Sequence, residues 1–452
     1  MYRKKHVEFP ENTPQSFHAV GEPVTRVGIE GNVTGGLKLT EDYAFNGLTH
    51  LTMVRSPHHH AKIVSMDLSG AEATPGFIRA LTAKDVPNNI ITPMQLIGIG
   101  PKDERIIAQD VVRYKGEGLA AIIAETPEAA AEAASKVKVE YEELPAVFDV
   151  EEALKDDAPI ITLHGKNYFP YEDHHCRRIR FGDVEQGFAE ADVIVEQRYD
   201  TGPVEHVPME VTGTICEPTA DGRFNVYTNT QGLFFILALS SYVCDIPPHK
   251  LRFLGGVTGG GFGGKVDGVT EYLAILGAHL TGRPVKYFYS RQEEMQISST
   301  RAGWRFYIKD GVKNDGRIVA RKLVGYANCG AYNRLVNYGV TKGAAHVPGP
   351  YTIPNVYADM HCVYTNRQPA SAMRGFGVTM MDFAIESQMD IIAEKIGVDP
   401  WRLRLINAYK DGDMKAHRKE AEGTALIEVI QETAAAIGYD LPEDLKALKS
   451  YA

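Results

Sequence analysis

The sequence predicts an α+β fold in two parts, a smaller N-terminal unit followed by a larger one. Three observations carry this. A strand–helix–strand pattern occupies 118–141. A turn-rich stretch at 151–180, holding Asp156-Asp157-Ala158-Pro159 and Tyr171-Glu172-Asp173, follows it and reads as a linker. Beyond about residue 179 the apolar segments lengthen.

The elements follow in order. Residues 1–24 read as an irregular arm, and 25–150 as the first unit. Within it 118–125 is an apolar strand. Thr126 then serves as a helix N-cap, Pro127 takes the first helical position and Glu128 adds an early acid. The helix 128–135 leads into 137–141, which alternates as a half-buried strand. The second unit spans 181–452. It should hold strands at 224–229 and 251–254 and a helix at 235–242. Val269, Tyr272, Leu273, Leu276 and Leu280 follow helical spacing until Thr281-Gly282-Arg283-Pro284 stops them. Met381, Ile385, Met389, Ile392 and Ile396 mark another helix, and Asp399-Pro400 starts one more through 408. The last forty residues read as charged and helical.

The chain of 452 residues is 44% apolar and 23% charged, an ordinary globular composition long enough for two to four domains. Its net charge of −10, without a basic run, disfavours nucleic acid and anionic membrane surfaces. No apolar stretch reaches the roughly 18 residues of a membrane span, and the charged N-terminus lacks the apolar core of a secretory signal. Cys176, Cys216, Cys244, Cys329 and Cys362 lie far apart, so neither a disulfide framework nor a structural zinc site is expected. The expected location is the cytoplasm. His58-His59-His60 and His174-His175 look metal-like, but adjacent residues in a strand face opposite ways, and a metal at either run is not expected.

The stretch Thr258-Gly-Gly-Gly-Phe-Gly-Gly-Lys265-Val266 fits most of a P-loop and also a dinucleotide fingerprint. The P-loop reading fails because Val266 stands where a hydroxyl must ligate magnesium. The dinucleotide reading lacks its ribose-binding acid in 276–284. Two readings survive: a glycine turn that lets a helix pack tightly on a strand, or a backbone seat for an anion or oxo ligand at a helix start. A second loop, Ala372-Met-Arg374-Gly-Phe376-Gly377, also precedes a helical pattern. It adds a guanidinium suited to paired oxygens and a phenyl face suited to a planar ligand.

Gly259-Gly-Gly-Phe-Gly-Gly-Lys265 followed by Arg374-Gly-Phe-Gly377 resembles the molybdenum-cofactor subunit of the xanthine dehydrogenase family, the molybdenum hydroxylases. Val54-Arg-Ser-Pro-His58 with Ala61-Lys-Ile-Val64 is similar to that family's N-terminal α/β hammerhead domain. Glu205-His206 and Glu210 resemble the strand region that follows it, and Thr365-Asn366 precedes the second loop at the family spacing. The resemblance covers residues 25 to the end. It implies a hammerhead domain (25–150) and then an α+β molybdopterin-binding domain (181–452), the first half of the family's catalytic region. It implies molybdenum on a molybdopterin, in the cytosine dinucleotide form, with oxo, hydroxide and sulfido or selenido ligands. The chemistry implied is oxidation of an electron-poor carbon with oxygen from water. Electrons would leave through [2Fe–2S] clusters to FAD in partner chains.

The resemblance also implies roles. Gln231 would donate to the metal's oxo group; otherwise it is a strand-end glutamine in solvent. Gly260, Gly261, Phe262 and Gly263 would bind the cofactor, the N–H groups of Phe262 and Gly263 meeting the metal's oxygen ligands. Arg374 would support the cofactor. Gln231, Phe262 and Arg374 would thus approach molybdenum through those oxygens. Phe376 would contact the substrate's plane, core packing being its alternative. Xanthine-oxidising members carry a glutamate at the position of Val266 and an arginine at that of Lys342, which makes a purine substrate unlike this chain's. Lys342 could meet a substrate carboxylate, or be a solvated surface lysine.

The family's base glutamate and its Gly-Gln-Gly loop are absent, so no catalytic residue is assigned here. An end near residue 450 suits a split subunit of the nicotinate dehydrogenase kind. The expected partners are a smaller molybdopterin subunit carrying the glutamate, an iron–sulfur subunit and an FAD subunit, in a dimer of the hetero-complex. The expected function is hydroxylation of an N-heteroaromatic, nicotinate-like small molecule. The alternatives are a molybdenum aldehyde dehydrogenase and, from another class, a non-redox nucleotide-binding scaffold.

Overall fold

The structure, a computed structural model, describes residues 23–94, 98–172 and 174–451. The expected arm therefore lies outside the described residues except for its last two, as does Asp173 of the turn-rich stretch.

A seven-stranded sheet runs through both parts of the chain. Its strands lie in the order Leu251–Gly255, Phe224–Thr228, Gly213–Pro218, Val285–Phe288, Thr49–Arg55, Gly118–Ala124 and Phe77–Leu81. The two halves join where Thr49 pairs with Val285 in a parallel register. Gly118–Ala124 is buried at every residue after its glycine. Such a strand needs partners on both edges and cover on both faces, and Thr49–Arg55 supplies one of those edges. The helix Pro127–Ser135 follows as expected, with the Thr126 hydroxyl accepting from the Ala129 N–H at 3.1 Å. Helix Thr270–Thr281 lies over the sheet and is buried without a break from Thr270 to Ala278, so it is covered on every side and not along one stripe.

The second core surrounds a five-stranded sheet ordered Val193–Thr201, Gly303–Val312, Ile318–Gly330, Val356–Tyr364 and Arg177–Phe181. Burial alternates along Gly303–Val312 and much of Ile318–Gly330, the sign of a sheet covered on one face. That cover comes from helices Val336–His346 and Thr379–Ile396, whose Val340, Met381, Ile385, Met389 and Ile392 share the core with Phe306, Ile308 and Leu323.

Three expectations need correction. The stretch 151–180 is not a free tether. Ile161, Phe169 and Tyr171 are buried, and the Phe169 N–H donates to the Cys362 carbonyl at 2.9 Å. The last forty residues are helical only at Leu426–Ala436 and Glu443–Lys446, because Gly423 and Gly438 take left-handed backbone angles and Pro442 precedes the final turn. Glu205, His206 and Glu210 lie on irregular chain beyond Val193–Thr201, where Pro203 and Pro208 cannot donate to a ladder.

The two parts are stitched by buried polar groups. Asn366 donates to the carbonyls of Arg113 and His59 and accepts from the Val147 N–H. Arg334 grips Glu104 at 2.8 Å. Tyr332 donates to Glu117, and Tyr364 donates to Asp103 at 2.5 Å. Burial pushes the Glu117 carboxyl up to about 7 and that of Asp103 to about 8. Both groups hold protons in the folded chain that the unfolded chain releases near pH 4. Their contribution is therefore fully present below about pH 4 and lost as pH rises through 7 to 8. Urea midpoints should fall between pH 5.5 and 8.5, and Asp103→Asn should flatten that slope; a midpoint independent of pH in both proteins would contradict it.

Candidate functional site

The two glycine loops, over a hundred residues apart in sequence, touch. The Arg374 N–H donates to the Phe262 carbonyl at 2.8 Å. Gly263, at φ +104°, lies so close to the second loop that a Cβ there would sit 2.7 Å from the Ala372 carbonyl oxygen. His206 braces the junction, its Nε2 2.8 Å from that same carbonyl.

The first loop is held from below by two side chains. Lys265 is buried and turned inward, its Nζ 2.6 Å from the Glu210 carbonyl and 3.4 Å from Oε2. Glu210 in turn accepts from the N–H of Gly259 at 2.7 Å and of Thr40 at 3.2 Å. This lysine is an internal strut, which agrees with rejecting a P-loop. Gln231 sits between strand Phe224–Thr228 and helix Leu233–Cys244. Its Oε1 accepts from the N–H of Gly263 at 2.9 Å and of Lys265 at 3.2 Å. The acceptor end of the carboxamide is thus used by the loop, and its NH2 end is left without a partner among the described residues.

Two corrections follow. The N–H of Gly263 belongs to Gln231 and is not available to a cofactor, because the reversed backbone at Phe262 (φ +51°) and Gly263 aims it at the side chain. The N–H groups of Gly260, Gly261 and Phe262, by contrast, donate to nothing among the described residues. The donors also do not come from a helix start. Helix Thr270–Thr281 begins well past the glycines, and the Glu271 carboxylate accepts from the Val269 N–H at 3.3 Å. Positive φ at Gly260 (+97°) and Phe262 (+51°) instead sets the backbone that leaves these successive N–H groups free among the described residues.

In the second loop Arg374 is exposed, and its guanidinium makes no hydrogen bond or ion pair among the described residues. Gly377, at φ +76°, lies against the Gly339 carbonyl, and the Phe376 ring packs on Gly339 itself. Helix Val336–His346 adds a residue that sequence reading missed. Tyr338 lies 6.2 Å from the Phe376 ring, and Lys342 Nζ sits 5.1 Å from the Tyr338 ring and 5.9 Å from that of Phe376. The i, i+4 spacing of Tyr338 and Lys342 was the available signal. Val266 is half-buried one residue beyond the inward-turned Lys265, and its side chain adds no charge to the loop.

Five donors are free here among the described residues: three backbone N–H groups, one carboxamide NH2 and one guanidinium. The neighbouring carboxylates are occupied. Glu210 is bound as described, and Glu205 accepts from the Ser298 hydroxyl at 2.9 Å and from the Val207 N–H. A cluster of free donors suits an oxygen-rich, anionic group, and the residues fit a metal-oxo pterin cofactor on that ground. A cavity of about 950 Å³, lined by Arg55, Glu205, Arg305, Gln368 and others, includes none of Gln231, Phe262 and Arg374. The donor cluster is not enclosed by it.

Two glycine loops thus meet at one point of an α+β fold, and known proteins share this architecture. The molybdopterin cofactor-binding domain matches residues 168–408, and the aldehyde oxidase and xanthine dehydrogenase a/b hammerhead domain matches residues 34–145. The chain is 33% identical to the nicotinate dehydrogenase large molybdopterin subunit of Eubacterium barkeri, over 92% of this chain and 96% of that one. Among solved structures, aldehyde oxidoreductase from Desulfovibrio gigas superposes with a TM-score of 0.86 at 31% identity, covering 93% of this chain and 46% of that chain. Quinoline 2-oxidoreductase from Pseudomonas putida 86 gives 0.83 at 28% identity, covering 92% and 54%. The chain spans nearly all of the first relative and about half of each of these two structures. It belongs to the xanthine dehydrogenase family of molybdenum hydroxylases.

Proposed function

We propose that this chain is the large molybdopterin-binding subunit of a multi-chain hydroxylase acting on an N-heteroaromatic acid. The observation that carries the reading is the donor cluster at the contact of the two glycine loops. When bound, the molybdenum cofactor would supply oxygen transfer from water and accept the electron pair.

The chain's own residues hold and orient. The free N–H groups of Gly260, Gly261 and Phe262 would hold the cofactor through its oxygens. The Gln231 carboxamide, locked by Gly263 and Lys265, points its NH2 outward to donate to an oxo ligand without adding charge. Arg374 offers two parallel N–H bonds. Glu205 and Glu210 are engaged elsewhere, so the proton acceptor comes from a smaller partner subunit. The finer reading adds the cytosine dinucleotide form, [2Fe–2S] and FAD partner chains, a dimer of the hetero-complex and a cytoplasmic setting.

For the substrate, Val266 removes the carboxylate that would pair with a purine edge. The Tyr338 and Phe376 rings offer apolar faces to a planar ring, and Lys342 above them offers a cation to a carboxylate. The named activity of the Eubacterium barkeri relative supports this class. Assay of the assembled complex should show oxidation of nicotinate-like acids in preference to simple aldehydes. Oxidation of aldehydes alone would favour the second reading, an aldehyde dehydrogenase, which the aldehyde oxidoreductase likeness supports. Bound molybdenum near one per chain separates both from a non-redox scaffold. Lys342→Met should raise KM for the carboxylated substrate about ten- to a hundredfold, the worth of one hydrogen bond to a charge, with kcat little changed. An unchanged KM would leave Lys342 a surface lysine.

A further inference from the structure

We propose a second metal site, for zinc or a cation of similar softness, formed by His175, Cys176 and His361. One ligand atom from each lies within 4.8 Å of the others. The site uses no residue of either glycine loop and is independent of the proposed molybdenum chemistry.

The fold explains why these residues meet. Strand Arg177–Phe181 forms the edge of the five-stranded sheet, paired antiparallel to Val356–Tyr364 with Met360 opposite Arg177. One step further along, Cys176 comes beside His361. Tyr171 and His174 exchange backbone hydrogen bonds at 2.8 Å, and the chain bends at His175 before entering the strand. The strand alternation that argued against paired histidines therefore does not apply here. His174 turns toward Arg178, while His175 stacks on His361 with ring centroids 5.3 Å apart.

The second observation is an orphan. His361 is more than nine-tenths buried, and its Nδ1 has no hydrogen-bond partner among the described residues. A buried imidazole nitrogen without a partner costs free energy unless something binds it. The ring also stacks on Tyr326, at 4.9 Å between centroids and 18° between planes. Cys176 is also buried, with Sγ 3.7 Å from the Asp359 carboxylate.

One thiolate with two imidazoles suits Zn²⁺, whose bonds run about 2.3 Å to sulfur and 2.0–2.1 Å to nitrogen. Tetrahedral ligands at those bond lengths lie roughly 3.3–3.8 Å apart. The trio must therefore close by about 1 Å, a movement within reach of the exposed His175 side chain. Binding releases the thiol proton to solvent. Asp359, held by Arg180 at 2.7 Å and approached by Arg178 at 3.7 Å, offsets the charge of those two arginines beside the cation. Water or Asp359 completes the shell. Bound metal would fasten the bend at 174–176 to the adjacent strand and rigidify the sheet edge.

The test is titration of the full 452-residue chain with Zn²⁺ alone against a chromophoric chelator, with X-ray absorption at the zinc edge. The expected result is one tightly held zinc with one sulfur and two imidazole ligands, lost in His175→Ala and in Cys176→Ser and kept in His174→Ala. His175 is exposed, so its alanine variant should fold and keeps the test decisive should Cys176→Ser misfold. Absence of tight zinc, a shell with no sulfur, or zinc retained by His175→Ala overturns the site.

Discussion

Gln231→Glu is expected to lower turnover of the assembled enzyme about a hundredfold or more while leaving the fold intact. The substitution keeps the shape and keeps an acceptor for the N–H groups of Gly263 and Lys265, so the loop stays in place. What changes is the outward end, where an NH2 donor becomes a carboxylate oxygen. A donor aimed at developing negative charge is worth about 10²–10³ in rate, and the new charge repels the oxygens it should bind. Steady-state kcat, molybdenum content and thermal midpoint measured together check it. Full activity would make Gln231 a solvent-facing glutamine with no part in the site.

Arg321→Met is expected to give the largest loss of stability, about 3–5 kcal/mol, the cost of orphaning a buried charge. Arg321 and Asp310 pair across neighbouring strands of the five-stranded sheet, both side chains fully buried, through two bonds of 2.8 and 2.9 Å. The guanidinium also donates to the Val347 carbonyl at 3.0 Å. The single variant leaves Asp310 unpaired in the core. The double variant Asp310→Leu with Arg321→Met removes both charges and should recover most of the loss. Urea denaturation of the three proteins checks this; equal destabilisation in the single and double variants would mean that packing, not charge, sets the cost.

Much of this was readable in the sequence. Thr126-Pro127-Glu128 placed a helix start that the structure keeps, because capping is a local matter of a few residues. The pair of glycine loops was legible as a pair because glycine runs report backbone shape directly. What they present was misjudged. The donors come from reversed backbone angles at Gly260 and Phe262 and not from a helix start, and a one-dimensional pattern cannot show where an N–H points. The five-stranded sheet went unread because its strands Gly303–Val312 and Ile318–Gly330 carry Arg305, Lys309, Arg321 and Lys322 among their apolar residues. Arg321 is a core residue only because Asp310 lies opposite. The continuity of the seven-stranded sheet across the chain depends on a parallel pairing between residues 49 and 285, which no local signal marks. The meeting of Cys176 and His361 depends on a bend and a strand register in the same way.

The central claim is that Gln231, the 260–262 turn and Arg374 together seat an oxygen-rich molybdenum centre. It is tested most directly by locating molybdenum in crystals of the assembled complex by anomalous scattering at its absorption edge. A single peak one oxygen ligand away from both Gln231 Nε2 and the Phe262 N–H, on the side of Arg374, is the expected result. A peak elsewhere on the chain, with those donors facing water, would contradict it.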